Sequence, residues 1–332
     1  MIFNTNRAQQ IIDKFNVGRT ALSTQAISED FTENKTRAVY KIETEDGLLI
    51  CRISNEPNYP KELIDKQSDF ANVLYAGGIH TSFKISVNGN YCISEKLDGI
   101  EYNVTLETFA GQSIEDVRDD IFYEFGSLIG CIHSISESKN IHIKKSNVYL
   151  AVKNGNADFK KLLEKRGYTD FEDVNMQKLT VLHNSLVQEI KSKIDDLPCS
   201  AVQGDVGIFN NIVISSGKMG IIDYNLAGDT PYIIDMLSAY YSSVHKKSWQ
   251  EKLKNIDKNK ALDDFLKGYT EKRKLQEIEI NIYPAVSALF DGLFFCKAFM
   301  DEGNFDDLFL SQINVKKAEQ LFSPSNHAFK KE

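Results

Sequence analysis

The chain has 332 residues, of which 42% are hydrophobic and 26% charged, a balance suited to a globular protein with a large buried core. Its 39 basic and 47 acidic side chains leave a net charge of −8. This argues against a nucleic-acid partner, which needs basic patches, and suits a cationic small molecule, whose local concentration a negative cleft raises. No uniformly apolar run approaches the roughly 18 to 20 residues of a membrane span, and the start, Met1-Ile2-Phe3-Asn4-Thr5-Asn6-Arg7, lacks the basic segment and apolar core of a secretory signal.

Arg37–Glu43 and Leu48–Ile53 read as strands joined by the turn Thr44-Glu45-Asp46-Gly47. Lys61 to Gly77 reads as a helix with Leu63, Phe70, Ala71 and Leu74 on one face and Gly77-Gly78 at its end. Strands Thr81–Val87, Tyr91–Ser94 and Tyr102–Phe109 follow, the first two separated by Asn88-Gly89-Asn90. Two strands, a helix and three strands predict an antiparallel sheet with one helix packed on it, an α+β lobe.

After Gly111 the pattern turns helical. Ile121, Phe125, Leu128, Ile129 and Ile132 form one apolar stripe. Residues 157–195 read as polar helix, and 232–245, 259–272, 282–300 and 313–322 as further helices. The tail from Ser323 reads as low-complexity. The chain therefore divides into a β-rich N-lobe, 1–106, and a mostly helical C-lobe, 107–332, with a connector near 106–112. A cleft between such lobes is where a nucleotide would bind. Five cysteines, Cys51, Cys92, Cys131, Cys199 and Cys296, are odd in number and widely spaced, which predicts reduced thiols in a cytoplasmic protein. Cys51, Cys131 and Cys296 lie in apolar stretches and read as core residues.

The segment Gln203-Gly204-Asp205-Val206-Gly207-Ile208-Phe209-Asn210 sets an aspartate and an asparagine five residues apart in a tight loop. A short hairpin then delivers Asp223 thirteen residues after Asn210. Phosphoryl transfer needs such an inventory: one carboxylate to orient and deprotonate a hydroxyl, and an amide oxygen and second carboxylate for Mg²⁺. Taken singly, an Asp-x-x-x-x-Asn loop is compatible with turn caps, and an aspartate at a strand end with a turn. The joint spacing favours the catalytic reading.

These residues resemble the catalytic segment of small-molecule kinases of the aminoglycoside phosphotransferase and choline kinase type. The resemblance implies a bilobal α+β protein-kinase-like fold, ATP and Mg²⁺ as cofactors, Asp205 as catalytic base, and Asn210 and Asp223 as metal ligands. The acceptor would be a hydroxyl of an aminoglycoside, an amino alcohol such as choline, homoserine or a sugar. Gln203 stands where the family motif has histidine, and a glutamine can brace the loop by hydrogen bonding. Arg52 stands where the family has a phosphate-binding lysine. Gln67 takes the place of that lysine's helix carboxylate and is expected to pair with Arg52, with Glu62, Asp65 and Asp69 as neighbouring alternatives.

Glu107-Thr108-Phe109-Ala110-Gly111 resembles the hinge whose backbone meets adenine at Glu107 and Phe109, its side chains being uninformative. Asp229 would touch the acceptor, Asp235 would brace the helix after it, and His133 reads as structural. Phe290, Phe294, Phe295 and Phe299 share helical spacing and read as core, or as the wall of a cationic-acceptor pocket. A protein kinase is disfavoured, since only seven residues separate Asp223 from Pro231. The rival reading is a catalytically silent nucleotide- or partner-binding relative, which the departures at Gln203, Arg52 and Gln67 favour.

Overall fold

The computed structural model describes residues 3–32, 35–57, 59–97, 99–115, 117–118, 120–154, 159–164, 174–246, 250–300 and 312–329. Its chain forms two compact units, Met1–Gln112 with Val213–Asn225, and Ser113–Ile212 with Leu226–Glu332. The hairpin Val213–Asn225 lies beyond the expected 106/107 boundary in sequence yet packs with the first unit.

The first unit opens with two elements that the sequence reading did not anticipate. Helix α1 (Thr5–Lys14) is capped by Asn4, whose Oδ1 accepts the Arg7 N–H at 3.0 Å. Strand β1 (Ala21–Thr32) forms a sheet edge, where Leu22 and Ile27 are left exposed among polar residues. Next come β2 (Lys35–Thr44), β3 (Gly47–Ser54), α2 (Lys61–Ala76), β4 (Lys84–Ile85), β5 (Cys92–Leu97) and β6 (Ile100–Thr108). The strands make one six-stranded antiparallel sheet in the order β1-β2-β3-β6-β4, with β5 also beside β6. Alternation sends Ala38, Tyr40, Ile42, Leu49, Cys51, Ile53, Val104 and Leu106 into a core closed by Ala8, Ile11, Ile12 and Phe15 of α1. Arg52, Thr105 and Glu107 consequently point to the opposite face.

β7 (Gln112–Ser113) lies beside β9 (Ile212–Ser215), which forms the expected hairpin with β10 (Lys218–Ile221). His80 docks this hairpin. Its carbonyl accepts the Ile221 N–H at 2.9 Å and its Nε2 lies 2.6 Å from the Ala110 carbonyl. Gly220 makes the approach possible, since a Cβ there would sit 2.4 Å from the His80 carbonyl oxygen.

The second unit is helical: α3 (Ile121–Ser138), α4 (Asn147–Lys153), α5 (Phe159–Glu164), α6 (Val174–Lys191), α7 (Tyr232–Val244), α8 (Gln250–Leu253), α9 (Lys258–Lys272), α10 (Glu277–Met300) and α11 (Gln312–Leu321). Of the expected helical stretch 157–195, residues 157–158 and 165–173 lie outside the described residues. A two-stranded ladder of β8 (Cys199–Val202) with β11 (Gly228–Pro231) was not anticipated. The apolar stripe of α3 packs on α9 through backbone contact, and a Cβ at Gly126 would fall 1.9 Å from the Phe265 carbonyl oxygen. Cys51 and Cys296 are buried as expected, but Cys131 is only half-buried; all five cysteines are free thiols. Phe290 is buried in the core and stacks on half-buried Phe294, with centroids 6.0 Å apart; the side chain of Phe299 lies outside the described set.

Among the described residues one helix is long and apolar enough to cross a membrane. Glu277–Ala298 within α10 reaches a mean hydropathy of 1.3, which corrects the expectation drawn from uniformly apolar runs. Of that window 56% is buried inside the fold, where α10 packs on α6, α7 and α11. The tail also differs from expectation. His327 Nε2 donates to the Leu321 carbonyl (2.9 Å) and its Nδ1 lies 3.1 Å from Ser287 Oγ, so the chain remains docked after α11.

His133 is fully buried on α3 as the expected structural histidine. Its Nδ1 lies 2.9 Å from the Tyr269 hydroxyl and its Nε2 3.0 Å from Asp235 Oδ2. Burial lowers its pKa from 6.5, against an upward pull from Asp235, and buried His245 shifts the same way for the same first cause. A base with a depressed folded-state pKa leaves the unfolded chain to take the proton first. Stability should therefore fall as pH drops below about 6.5. The urea midpoint is expected to decrease from pH 7.5 to 5.5, less steeply in His133→Gln; a midpoint that rises over that interval contradicts the assignment.

Candidate active site

The first unit assembles a compact ionic cluster on the face of the sheet away from α1. In the β3–β6 register Arg52 lies opposite Thr105, which makes Glu107 its diagonal neighbour on the same face. Arg52 Nε donates to Glu107 Oε1 at 2.8 Å. On the other side of β6, Lys84 of β4 stands directly opposite Glu107, and its ammonium contacts Oε2. Ser82 Oγ donates to the same oxygen at 2.8 Å. Glu107 is 2% exposed. Burial holds the Lys84 ammonium well below the ordinary lysine range, Arg52 adds to that depression, and Asp223 opposes it.

Asp223 follows the β9–β10 hairpin with φ of 66°, a left-handed conformation that aspartate tolerates better than most residues. Its Oδ1 lies 3.5 Å from Arg52 Nη1 and 3.7 Å from Arg37 Nη2. The structure thus brings Arg52, Glu107 and Asp223 together, with Lys84 and Arg37 as members that sequence reasoning missed. One local signal was present. Glu107 alternates with Thr105 and Asn103 inside a strand, and a carboxylate at a buried strand position needs a cation.

Two expectations for this unit are corrected. Gln67 is buried on α2, but its Nε2 donates to the Asn225 carbonyl at 2.8 Å, and the carboxylate that Arg52 binds is Glu107. The helix alternatives turn elsewhere: Asp65 accepts the Tyr91 and Cys92 N–H groups at 2.7 and 2.9 Å, and Asp69 lies 3.3 Å from the Tyr91 hydroxyl. Glu107 is also no free hinge backbone, since it pairs with Ile50 on one side and Lys84 on the other, and its side chain is the informative part. Phe109 is half-buried, and its N–H donates to the Leu48 carbonyl at 3.1 Å.

The second unit holds the Asp205 loop, which leaves β8 at Val202. Gln203 is 1% exposed, and its Oε1 accepts the Asp205 N–H at 2.8 Å. The glutamine therefore supplies the brace expected of it. Gly204 takes φ of 86°, and a Cβ there would lie 2.4 Å from the Leu226 carbonyl oxygen, so the turn admits no side chain. α7 supports the loop from beneath: Ser243 Oγ accepts the Ile208 N–H at 3.0 Å, and Ser242 Oγ donates to the Val206 carbonyl at 3.2 Å. The brace, the glycine and this support fix the backbone while the Asp205 side chain stays exposed. Asp229 is 6% exposed and binds the Ile143 N–H (2.9 Å) and His142 Nδ1 (3.0 Å), which makes it part of the scaffold. Asp235 sits in the first turn of α7, on His133.

Asn210 is exposed, and its Oδ1 accepts from the Lys246 ammonium. Next to it, Asn211 Oδ1 is the one buried side-chain polar atom without a hydrogen-bond partner among the described residues. No group of three or more His, Cys, Asp or Glu side chains suited to a metal occurs among those residues. The candidate donors are nevertheless hard oxygens of the kind Mg²⁺ takes, and Mg²⁺ needs only one or two from protein when phosphates and water supply the rest. Each of them faces a cationic side chain, Lys246 at Asn210 and two arginines at Asp223. The donor set therefore fits a cation.

No protein-family model and no curated protein sequence matches the chain. Solved structures do match it in shape. An amicoumacin kinase in complex with AMP-PNP, Ca²⁺ and Ami aligns with a TM-score of 0.61 at 16% identity, over 95% of this chain and 93% of that one. A microcompartment-associated aminopropanol kinase gives 0.57 at 14%, over 97% and 95%. A spectinomycin phosphotransferase in complex with ADP and spectinomycin gives 0.54 at 13%, over 98% and 99%. The chain has the α+β protein-kinase-like fold of these phosphotransferases, as the catalytic segment suggested.

The Glu107 cluster has a direct energetic test. Glu107→Ala leaves Lys84 and Arg52 as adjacent, largely buried cations, and removal of one partner of a buried pair costs about 3–5 kcal/mol. Urea unfolding is expected to register a loss of that order, with most of it regained in the apolar double variant Lys84→Met/Glu107→Leu. A single variant within about 0.5 kcal/mol of the parent, the range of ordinary surface changes, would refute the cluster.

Proposed function

We propose that this chain is an ATP-dependent, Mg²⁺-requiring kinase that transfers the γ-phosphoryl group to a hydroxyl of a small molecule. The observation that carries the proposal is the Asp205 loop: an exposed carboxylate on a backbone fixed by Gln203, Gly204 and α7, in a chain with the fold of small-molecule kinases. Asp205 would accept the proton of the acceptor hydroxyl as its oxygen attacks the γ-phosphorus in line, and the phosphoryl bond to ADP breaks as the new one forms. Arg52, anchored through Glu107, would turn the outer edge of its guanidinium to the phosphates. Asn210 and Asp223 would hold Mg²⁺ by their side-chain oxygens, and the ion, when bound, neutralises charge on the phosphates. That role would require Lys246 to leave Asn210, and Arg37 and Arg52 to share Asp223 with the ion.

The acceptor class follows less closely from these residues. The neighbours are named for amicoumacin, aminopropanol and spectinomycin, and the net charge of −8 suits a cationic acceptor. An aminoglycoside, an amino alcohol such as choline, homoserine and a sugar form the panel to try. Free thiols at all five cysteines agree with a cytoplasmic enzyme. One observation favours the silent-binder alternative: arginine or lysine already engages each proposed metal oxygen.

The two readings separate by Mg²⁺-dependent ATP turnover against that panel. A kinase should show acceptor-stimulated turnover that Asp205→Asn lowers by about 10²–10⁴-fold, the usual weight of a general base. Stabilisation by Mg-ATP without turnover on any acceptor points to the silent binder. If Mg-ATP neither turns over nor raises the melting temperature, both readings fail.

A further inference from the structure

The second unit contains a cavity of about 1210 Å³, walled by α7, α9, α10, α11 and the tail after α11. It is distinct from the Asp205 loop because α7 stands between them. Ser242, Ser243 and Lys246 touch the loop, whereas Tyr240, Tyr241, Val244 and His245 line the cavity. At roughly 100° per residue, these two sets fall on opposite sides of the helix.

The lining is positively charged in an acidic chain. Lys258, Lys267, Lys274 and Lys317 face the cavity against Asp263 and Asp291. Asp291 is already engaged, with Oδ1 2.6 Å from His245 Nε2 and Oδ2 3.8 Å from His327 Nε2. None of the four lysines forms an ion pair among the described residues. Low-dielectric walls focus such unpaired charge and raise the local concentration of anions.

Lys258, at the start of α9, and Lys317, on α11, both line the cavity. Burial pushes the Lys258 ammonium below its ordinary range, Asp291 pulls it up, and Lys317 pushes it further down. Both also act on His245 at the cavity wall. Two lining residues, Tyr241 and His327, are tied through buried Ser287, whose Oγ lies 2.6 Å from the Tyr241 hydroxyl and 3.1 Å from His327 Nδ1. Lysine ammonium groups lining one cavity suit a compact, multiply charged oxyanion, since lysine binds phosphate as a point charge. The volume exceeds that of phosphate alone and lies above the roughly 300–1,000 Å³ of ordinary ligand pockets.

We infer that this cavity is a second ligand site, for a small phosphorylated molecule whose phosphate is held by Lys258 and Lys317. It does not use the Asp205 loop, and its occupant bears on the face of α7 opposite the one that supports that loop. The inference needs no turnover, so it stands or falls separately from the phosphotransfer reading.

The test titrates inorganic phosphate into the full chain at constant ionic strength, with the melting temperature and calorimetric heat as readouts. Saturable binding is expected, and Lys258→Gln and Lys317→Gln should each weaken it about tenfold, as loss of one charge-assisted contact does. Both lysines are exposed enough for the variants to fold, and Lys66→Gln, an exposed lysine of the other unit, should leave phosphate binding unchanged. Two results overturn the inference: no saturable binding, or binding that survives both lysine variants.

Discussion

The carboxylate of Glu107 is 2% exposed and holds the Arg52 guanidinium, the Lys84 ammonium and the Ser82 hydroxyl. A buried charge of that kind persists only when its oxygens are fully engaged, and the sheet register engages them. Arg52 arrives from β3 as a diagonal neighbour and Lys84 from β4 as a direct one. Opposite the apolar face that α1 closes, the sheet therefore carries one ordered cluster. Two cations share one buried anion, so Arg52 retains unneutralised charge at its outer nitrogens, and Asp223 is what it meets there. Glu107 determines where the guanidinium stands, and Asp223 marks where its charge is felt.

This arrangement also explains how the sheet dispenses with a carboxylate from α2. With Glu107 supplying the counter-charge from the neighbouring strand, the helix position can be the neutral Gln67. That residue instead binds the chain after the hairpin through the Asn225 carbonyl. Gln67 thus bears on the segment that carries Asp223. Asp223 itself holds a left-handed backbone, a conformation of small but real cost that surrounding contacts must maintain. Tyr224, buried beside it with its hydroxyl 2.9 Å from Thr81 Oγ1, is one such contact.

Local features of the sequence were legible and non-local ones were not. The hairpin of β2 and β3, the single apolar face of α2 and the stripe on α3 each declare themselves within a few residues, because periodicity is a local property. The Asp205 loop was legible for the same reason: Gln203, Gly204, Asp205 and Asn210 work on one another within eight residues. β1 escaped notice because an edge strand needs no continuous apolar alternation. The β8–β11 ladder joins segments that no turn signal links. Glu107 was read as featureless hinge because its partners lie on β3 and β4, and a register between distant strands leaves no mark in either strand alone. α10 is the converse case, in which apolar residues and scattered polar ones average to a membrane-like hydropathy while facing other helices.

The distribution of charge connects these observations. A chain with net charge −8 has an excess of carboxylates to place, yet several of its lysines and arginines stand beside the proposed metal oxygens or line the cavity. Arg37 and Arg52 face Asp223, Lys246 faces Asn210, and Lys258 and Lys317 face a cavity on the other side of α7. The first two groups already touch these oxygens, so a metal or phosphate there competes with an existing contact. Lys258 and Lys317 have no such contact among the described residues, and an anion would meet them without displacing anything. Cation binding at the oxygens of Asn210 and Asp223 would therefore be an exchange reaction that depends on the mobility of three side chains. Binding in the cavity is a simple neutralisation, limited by desolvation of the anion and by salt screening.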